Sequence, residues 1–144
     1  MTRTQALGAA LAAWLVLAHG PARAQEPELA WDAVAGERTV TIVTRQMDGS
    51  WRDTTVWLVV LDGQGYVRTG NTRWFRNIER DPDVALRVGE AEYRLRAERV
   101  EQEELRERIT AAFREKYGGM DRVRGWVARG RPNLMRLVPR PAHG

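Results

Sequence analysis

The sequence predicts a mainly β domain of the α+β class, an antiparallel sheet of six strands curling into a small barrel with helices packed outside. Three observations carry that expectation. Stretches rich in β-branched residues recur along the chain and are bounded by turns containing Gly, Pro, Asp or Asn. The links between neighbouring stretches are short, which suits antiparallel pairing. Helical periodicity is confined to a short stretch after the third strand and to the region before the last strand.

At the N-terminus, Arg3 precedes an uncharged Ala/Leu-rich run from Ala6 to Ala18, which Gly20-Pro21 breaks. Ala22-Arg23-Ala24 then offers a small-x-small cleavage site before Gln25. These are the three regions of a secretory signal peptide. The run is shorter than the ~20 apolar residues of a spanning helix. Residues 1–24 are therefore expected to be a signal peptide cleaved after Ala24, giving an exported, periplasmic protein with no membrane partner after cleavage. Residues 25–37 form a polar lead-in anchored by Trp31, 38–140 the barrel domain and 141–144 a tail.

Arg38 to Gln46 alternates with β-branched residues and reads as the first strand. Met47-Asp48-Gly49-Ser50 turns it, with glycine supplying a positive φ. Trp51 to Leu61 reads as one second strand whose centre, Val56 to Leu61, is apolar on both faces and so deeply buried. Asp62 to Gly65 turns the chain into a third strand, Tyr66 to Thr69. A helix opens at about Thr72 with Trp74, Phe75 and Ile78 on one face, and Asp81-Pro82 stops it. Val84 to Val88 and Ala91 to Val100 form a second hairpin. In the latter, Tyr93, Leu95 and Ala97 face one side; Glu92, Arg94, Arg96 and Glu98 face water or a polar interface. Glu101 to Tyr117 is the longest helix, with Leu105, Ile109, Ala112, Phe113 and Tyr117 as its apolar stripe and Gly118-Gly119 as its stop. A short helix is expected over Met120 to Arg129, and Asn133 to Val138 is the sixth strand.

The composition excludes several chemistries. The 144-residue chain has no cysteine, Ser50 is its only serine, and its only histidines are His19 and His143. There is no Ser–His or Cys–His nucleophile and no His/Cys metal cluster. No carboxylate pairing specific to a hydrolase stands out. Losing residues 1–24 removes Arg3 and Arg23 and no acid, so the formal charge of +4 falls to +2. That near balance argues against a nucleic-acid partner. An enzyme built from these residues has to borrow its reactive group, and a redox cofactor is the group that brings its own chemistry.

At Tyr66 to Pro82 a strand end, a Gly-Asn turn and a helix N-terminus converge. Arg68, Thr69, Asn71, Thr72 and Arg73 surround that corner with donors. Unpaired N–H groups at a helix start favour an anion, and the guanidinium fork suits phosphate. By spacing alone the corner reads rather as a strand–helix connection with solvated arginines, since arginine is the common surface cation of this chain.

From about Thr39 to Val138 the chain resembles the split-barrel family of pyridoxamine 5'-phosphate oxidase-like and deazaflavin-dependent, nitroreductase-type proteins. The resemblance rests on the hairpin with its Thr55-Val56-Trp57 step, on Tyr66-Val67-Arg68-Thr69, on Thr72-Arg73 opening a helix that ends at Asp81-Pro82, on REKYGG and on the final LMRLVP. Arginine at 73 stands where the family more often has lysine, which keeps the charge but not the geometry. The resemblance implies a homodimer of six-stranded split barrels binding FMN or a deazaflavin at the dimer interface. It implies phosphate held by Arg68, Thr69, Thr72 and Arg73, and a ring system lying along Thr54, Thr55 and Val56. The function implied is an oxidoreductase acting on a small molecule. The alternative is a non-enzymatic periplasmic protein that binds a small anionic or flavin-like ligand. Neither the substrate nor the choice between flavin and deazaflavin follows from the residues.

Overall fold

The structure, a computed structural model, describes residues 29–118 and 131–141. The expected signal peptide, the start of the lead-in, the helix expected over Met120–Arg129 and the end of the tail lie outside the described residues. The elements are α1 (Trp31–Val34), β1 (Val40–Arg45), β2 (Trp51–Val56), β3 (Leu58–Leu61), β4 (Gln64–Thr69), α2 (Arg73–Arg80), β5 (Asp83–Val88), β6 (Ala91–Arg99), α3 (Glu103–Tyr117) and β7 (Asn133–Pro139). One antiparallel sheet runs in the order β2-β1-β5-β6-β7-β4-β3. It curls into a split barrel flanked by helices, the fold class that the sequence predicts.

The strand count differs from that expectation: seven strands rather than six. The continuous strand expected from Trp51 to Leu61 breaks at Trp57. Its first half pairs with β1, from Val40↔Val56 to Arg45↔Trp51. Its second half pairs with β4, from Leu58↔Val67 to Leu61↔Gln64. β2 and β3 are therefore the two edges of the sheet, and the chain steps from one edge to the other at Trp57. That step brings the sheet ends together.

Local chemistry accounts for the turns. At the β1–β2 turn Gly49 has φ 87, and the Asp48 carboxylate accepts from Ser50 N at 2.9 Å and Ser50 Oγ at 2.6 Å. At the β3–β4 turn Asp62 and Gly63 have φ 51 and 72, two left-handed residues in succession, as a two-residue type I′ hairpin requires. Thr72 caps α2 by accepting from Phe75 N, and the helix stops at Asp81 ahead of Pro82.

Strand alternation sorts side chains onto two faces. The inner face carries Val40, Ile42, Leu58, Val67, Val84, Leu86, Leu95 and Leu137, plugged by Trp31 and Val34 of α1 and by Trp74, Phe75 and Ile78 of α2. The outer face of β3, β4 and β7 carries Val59, Tyr66 and Leu134, covered by Ile109, Phe113 and Tyr117 of α3. The expected stripe on α3 is thus the seam of a second core. Arg106 joins that seam unannounced by the pattern. Its guanidinium is buried and donates to the carbonyls of Val100 and Pro132, and burial holds its pKa below the ordinary value.

Candidate functional site

The step at Trp57 leaves a gap between the end of β2 and the end of β4, and a cleft of about 310 Å³ opens there. Thr39, Thr55, Val56, Trp57, Arg68, Thr69, Thr72, Trp74 and Phe113 line it. Five of the seven site residues expected from sequence meet in this cleft: Thr55 and Val56 from β2, Arg68 and Thr69 from β4, and Thr72 at the cap of α2.

The other two lie elsewhere. Thr54 pairs with Ile42 on the inner face of the barrel, one residue out of phase with Thr55. Its Oγ1 is buried with no hydrogen-bond partner among the described residues. Arg73, the first residue of α2, is exposed and does not line the cleft. A helix start turns successive side chains by about 100°, so Thr72 and Arg73 do not face the same way.

Arg68 is not the solvated arginine of the simpler sequence reading. It is 6% exposed, and its Cζ sits 4.4 Å from the centroid of the Phe113 ring. Neighbouring positions on a strand point to opposite faces, so Arg68 extends over the α3 side while Thr69 faces inward. At the strand end both reach the cleft. Thr69 Oγ1 and Thr72 Oγ1 are 2.8 Å apart. One of these hydroxyls donates to the other, which leaves one hydroxyl proton of the pair to offer to a ligand. Asn133 Nδ2 donates to Gly70 O at 3.2 Å and fixes the turn between Thr69 and Thr72.

The last turn of α3 fixes Trp57 and the backbone beside it. The Tyr117 ring stacks on the Trp57 ring, with centroids 4.1 Å apart and planes nearly parallel at 3°. Tyr117 Oη accepts from Leu58 N at 3.1 Å and lies 3.0 Å from the carbonyls of Arg38 and Leu58. Lys116 Nζ donates to Leu58 O at 2.7 Å. Burial pushes the Tyr117 hydroxyl's pKa up; burial, then the nearby Arg38 charge, pulls that of Lys116 down. Both groups thereby anchor the backbone next to Trp57 and Thr39.

Sequence reasoning missed Thr39, Trp57, Trp74 and Phe113 as cleft residues, the two tryptophans reading as packing of the core and of the helix against the barrel. Thr39 looks like any strand-flanking threonine, and Phe113 sits in an apolar helical stripe where a core role is the ordinary expectation. Among the described residues no Asp, Glu, His, Cys or Tyr lines the cleft. Among the described residues no group of three or more His, Cys, Asp or Glu is placed to hold a metal.

No curated protein matches the chain. Among solved structures, the heme storage protein HutZ from Vibrio cholerae is 21% identical with a TM-score of 0.60, covering 78% of this chain and 89% of its own. An F420-H2 dependent reductase, FDR-A, is 19% identical with a TM-score of 0.58, covering 70% of this chain and 94% of its own. A putative pyridoxamine 5'-phosphate oxidase from Listeria innocua is 18% identical with a TM-score of 0.57, covering 79% and 95%. At these identities the likeness is one of fold, and it is the split-barrel fold of the family that the sequence resembles. Residues 30–137 match the family described as "Uncharacterized protein conserved in bacteria (DUF2255)", and the chain belongs to that family.

Proposed function

We propose that the cleft binds the phosphate-bearing part of FMN or a deazaflavin and that the protein is an oxidoreductase acting on a small molecule. The observation that carries this reading is the convergence of Arg68, Thr55, Thr69 and Thr72 on one cleft at the start of α2. The donor set fits the group. A planar guanidinium, threonine hydroxyls and a helix N-terminus together suit a phosphate monoester. The cleft, at about 310 Å³, lies at the low end of small-ligand sites, which run from ~300 to 1,000 Å³. Arg68, Thr69 and Thr72 would hold the phosphate there, and Thr55 and Val56 of β2 would border the ring system.

When bound, the cofactor supplies hydride and electron chemistry. The chain's own part is to hold and orient. Arg68 neutralises the phosphate, the Thr69–Thr72 hydroxyl pair offers a proton to one phosphate oxygen, and Trp57 and Trp74 wall the site against water. The described residues that line the cleft offer hydrogen-bond donors and ring faces, which suit holding and orienting a ligand. HutZ is named for heme storage; the donor set of Arg68, Thr69 and Thr72, which suits a phosphate, is what favours the FMN or deazaflavin reading here.

The test is titration of the purified protein with FMN and with a deazaflavin, followed by absorbance, then turnover with the reduced cofactor and candidate electron acceptors. Binding with a perturbed cofactor spectrum and turnover is the expected result. Binding without turnover favours the non-enzymatic reading. No binding of either cofactor at micromolar concentrations overturns the assignment.

The same reading includes export and a homodimer. α3 covers the outer face of β3, β4 and β7, whereas the outer face of β2, β1, β5 and β6 carries a polar groove of about 470 Å³. Val43 and Ala85 line that groove, together with Arg45, Trp51, Arg87 and Glu92. Trp51 is 54% exposed with the Arg45 guanidinium 5.6 Å from its ring, and Arg87 pairs with Asp53 at 2.7 Å. This mixed-charge face with the polar side of β6, together with the Thr54–Trp57 segment at the sheet edge, is the proposed dimer surface. Sedimentation of the mature protein with FMN present is expected to show a dimer; monomer alone at micromolar concentration counts against it. Intact mass of the secreted form is expected to start at Gln25, and a chain retaining Met1 to Ala24 refutes cleavage.

A further inference from the structure

Phe113 reads at first as core filling. It is fully buried and lies on the apolar stripe of α3. Two facts give it another role. Its ring lines the cleft, and the Arg68 guanidinium lies 4.4 Å from its centroid, well inside the ~6 Å reach of a cation–π contact. The ring is itself held. Tyr117, one helical turn on, lies 6.0 Å away at 22°, and the Tyr117 ring stacks on Trp57 at 4.1 Å. Residues four apart share a helix face, so α3 presents both rings to the same side. Arg68, Phe113, Tyr117 and Trp57 thus form one continuous chain of contacts, whose two end members both line the cleft.

We infer that Phe113 is a positioning residue for the anion end of the cleft: its ring orders the Arg68 guanidinium before any ligand arrives, so that α3 sets phosphate affinity without touching phosphate. This inference rests on the FMN or deazaflavin reading and deepens it. An arginine at a strand end has many rotamers, and ordering such a side chain on binding weakens affinity. A guanidinium already stacked on a fixed ring avoids that loss. A ring that only fills space has no such effect, because any apolar side chain of similar volume would serve.

The experiment compares FMN with riboflavin, which lacks the phosphate, on the full-length protein. Phe113→Leu keeps an apolar side chain and removes the aromatic face. FMN affinity is expected to fall about two- to ten-fold, the equivalent of freezing one flexible side chain. Riboflavin affinity is expected to stay unchanged, so the ratio of the two drops. In an Arg68→Ala background Phe113→Leu is expected to cost FMN nothing further, since coupled residues do not add. Should the leucine variant fail to fold, Phe113→Met fills the site with an unbranched chain and carries the same expectation. A wild type that prefers FMN together with a leucine or methionine variant whose ratio is unchanged overturns the role of Phe113 and leaves the cofactor reading standing. Independent, additive losses in the double variant do the same. A wild type that binds both ligands equally overturns both the role of Phe113 and the phosphate assignment.

Discussion

Gly65→Ala is expected to lower the melting temperature by about 5–20 °C, although glycine to alanine in an extended strand is ordinarily mild. A Cβ built at Gly65 would lie 2.2 Å from Trp31 Cζ3 and 2.4 Å from Cη2, inside any possible contact. Gly65 sits on the inner face of β4, opposite Leu137, and the Trp31 ring of α1 lies directly on its backbone. An added methyl leaves the ring two choices. It strains in place, or it swings out and exposes much of its apolar surface. Overpacking of this kind costs about 1–3 kcal/mol and occasionally more. For a domain of this size each kcal/mol shifts the melting temperature by about 4–8 °C. Thermal melts with tryptophan emission check both the shift and the displaced ring. The pair provides its own control. In a Trp31→Ala background the methyl has nothing to meet, and the cost of Gly65→Ala is expected to vanish. A Gly65→Ala protein melting within 2 °C (roughly the size of an ordinary surface substitution) would show that Trp31 does not seal the barrel there.

Arg68→Ala is expected to weaken FMN about ten- to a hundred-fold and to destabilise the fold, whereas Arg73→Ala is expected to do little of either. From sequence the two arginines look equivalent. In the structure Arg68 is 6% exposed and stacked on Phe113, while Arg73 is exposed and outside the cleft. A charge-assisted hydrogen bond contributes about 1.5–3 kcal/mol, which sets the affinity range. Loss of the long buried side chain also uncovers Phe113, so packing goes with the charge. Exposed substitutions such as Arg73→Ala usually stay within about ±0.5 kcal/mol. Arg68→Lys should recover only part of the affinity, because the charge stays and the planar fork is lost. Calorimetric titration with FMN and riboflavin, beside thermal melts, separates the two effects. Equal FMN affinity in the wild type and Arg68→Ala would remove Arg68 from the site.

The features legible in the sequence are those governed by local rules. Gly49 and the Asp62-Gly63 pair specify their turns through positive φ. The cap at Thr72 and the stop at Asp81-Pro82 follow from which backbone groups lack partners and from the steric demand of proline. The alternation of Tyr93, Leu95 and Ala97 against Glu92, Arg94 and Arg96 follows from the two-residue period of a strand. The resemblance of the Thr55–Trp57 and Arg68–Arg73 steps to a known family makes five of the cleft residues legible in the sequence alone: Thr55, Val56, Arg68, Thr69 and Thr72.

What the tertiary structure alone decided is where the strand from Trp51 to Leu61 breaks and which arginine is drawn inward. Nothing between Val56 and Leu58 marks a break: β-branched and apolar residues continue through it. The break exists because the curling sheet presents two edges, and the backbone at Leu58 is held there by Tyr117 and Lys116 from the far end of α3. Arg68 is buried because Phe113, distant in sequence, supplies a ring face beside β4. Local propensity fixes the conformation of each residue. The partners that close a barrel and bury a charge come from segments far away in the chain, and their meeting is settled only when the sheet is assembled.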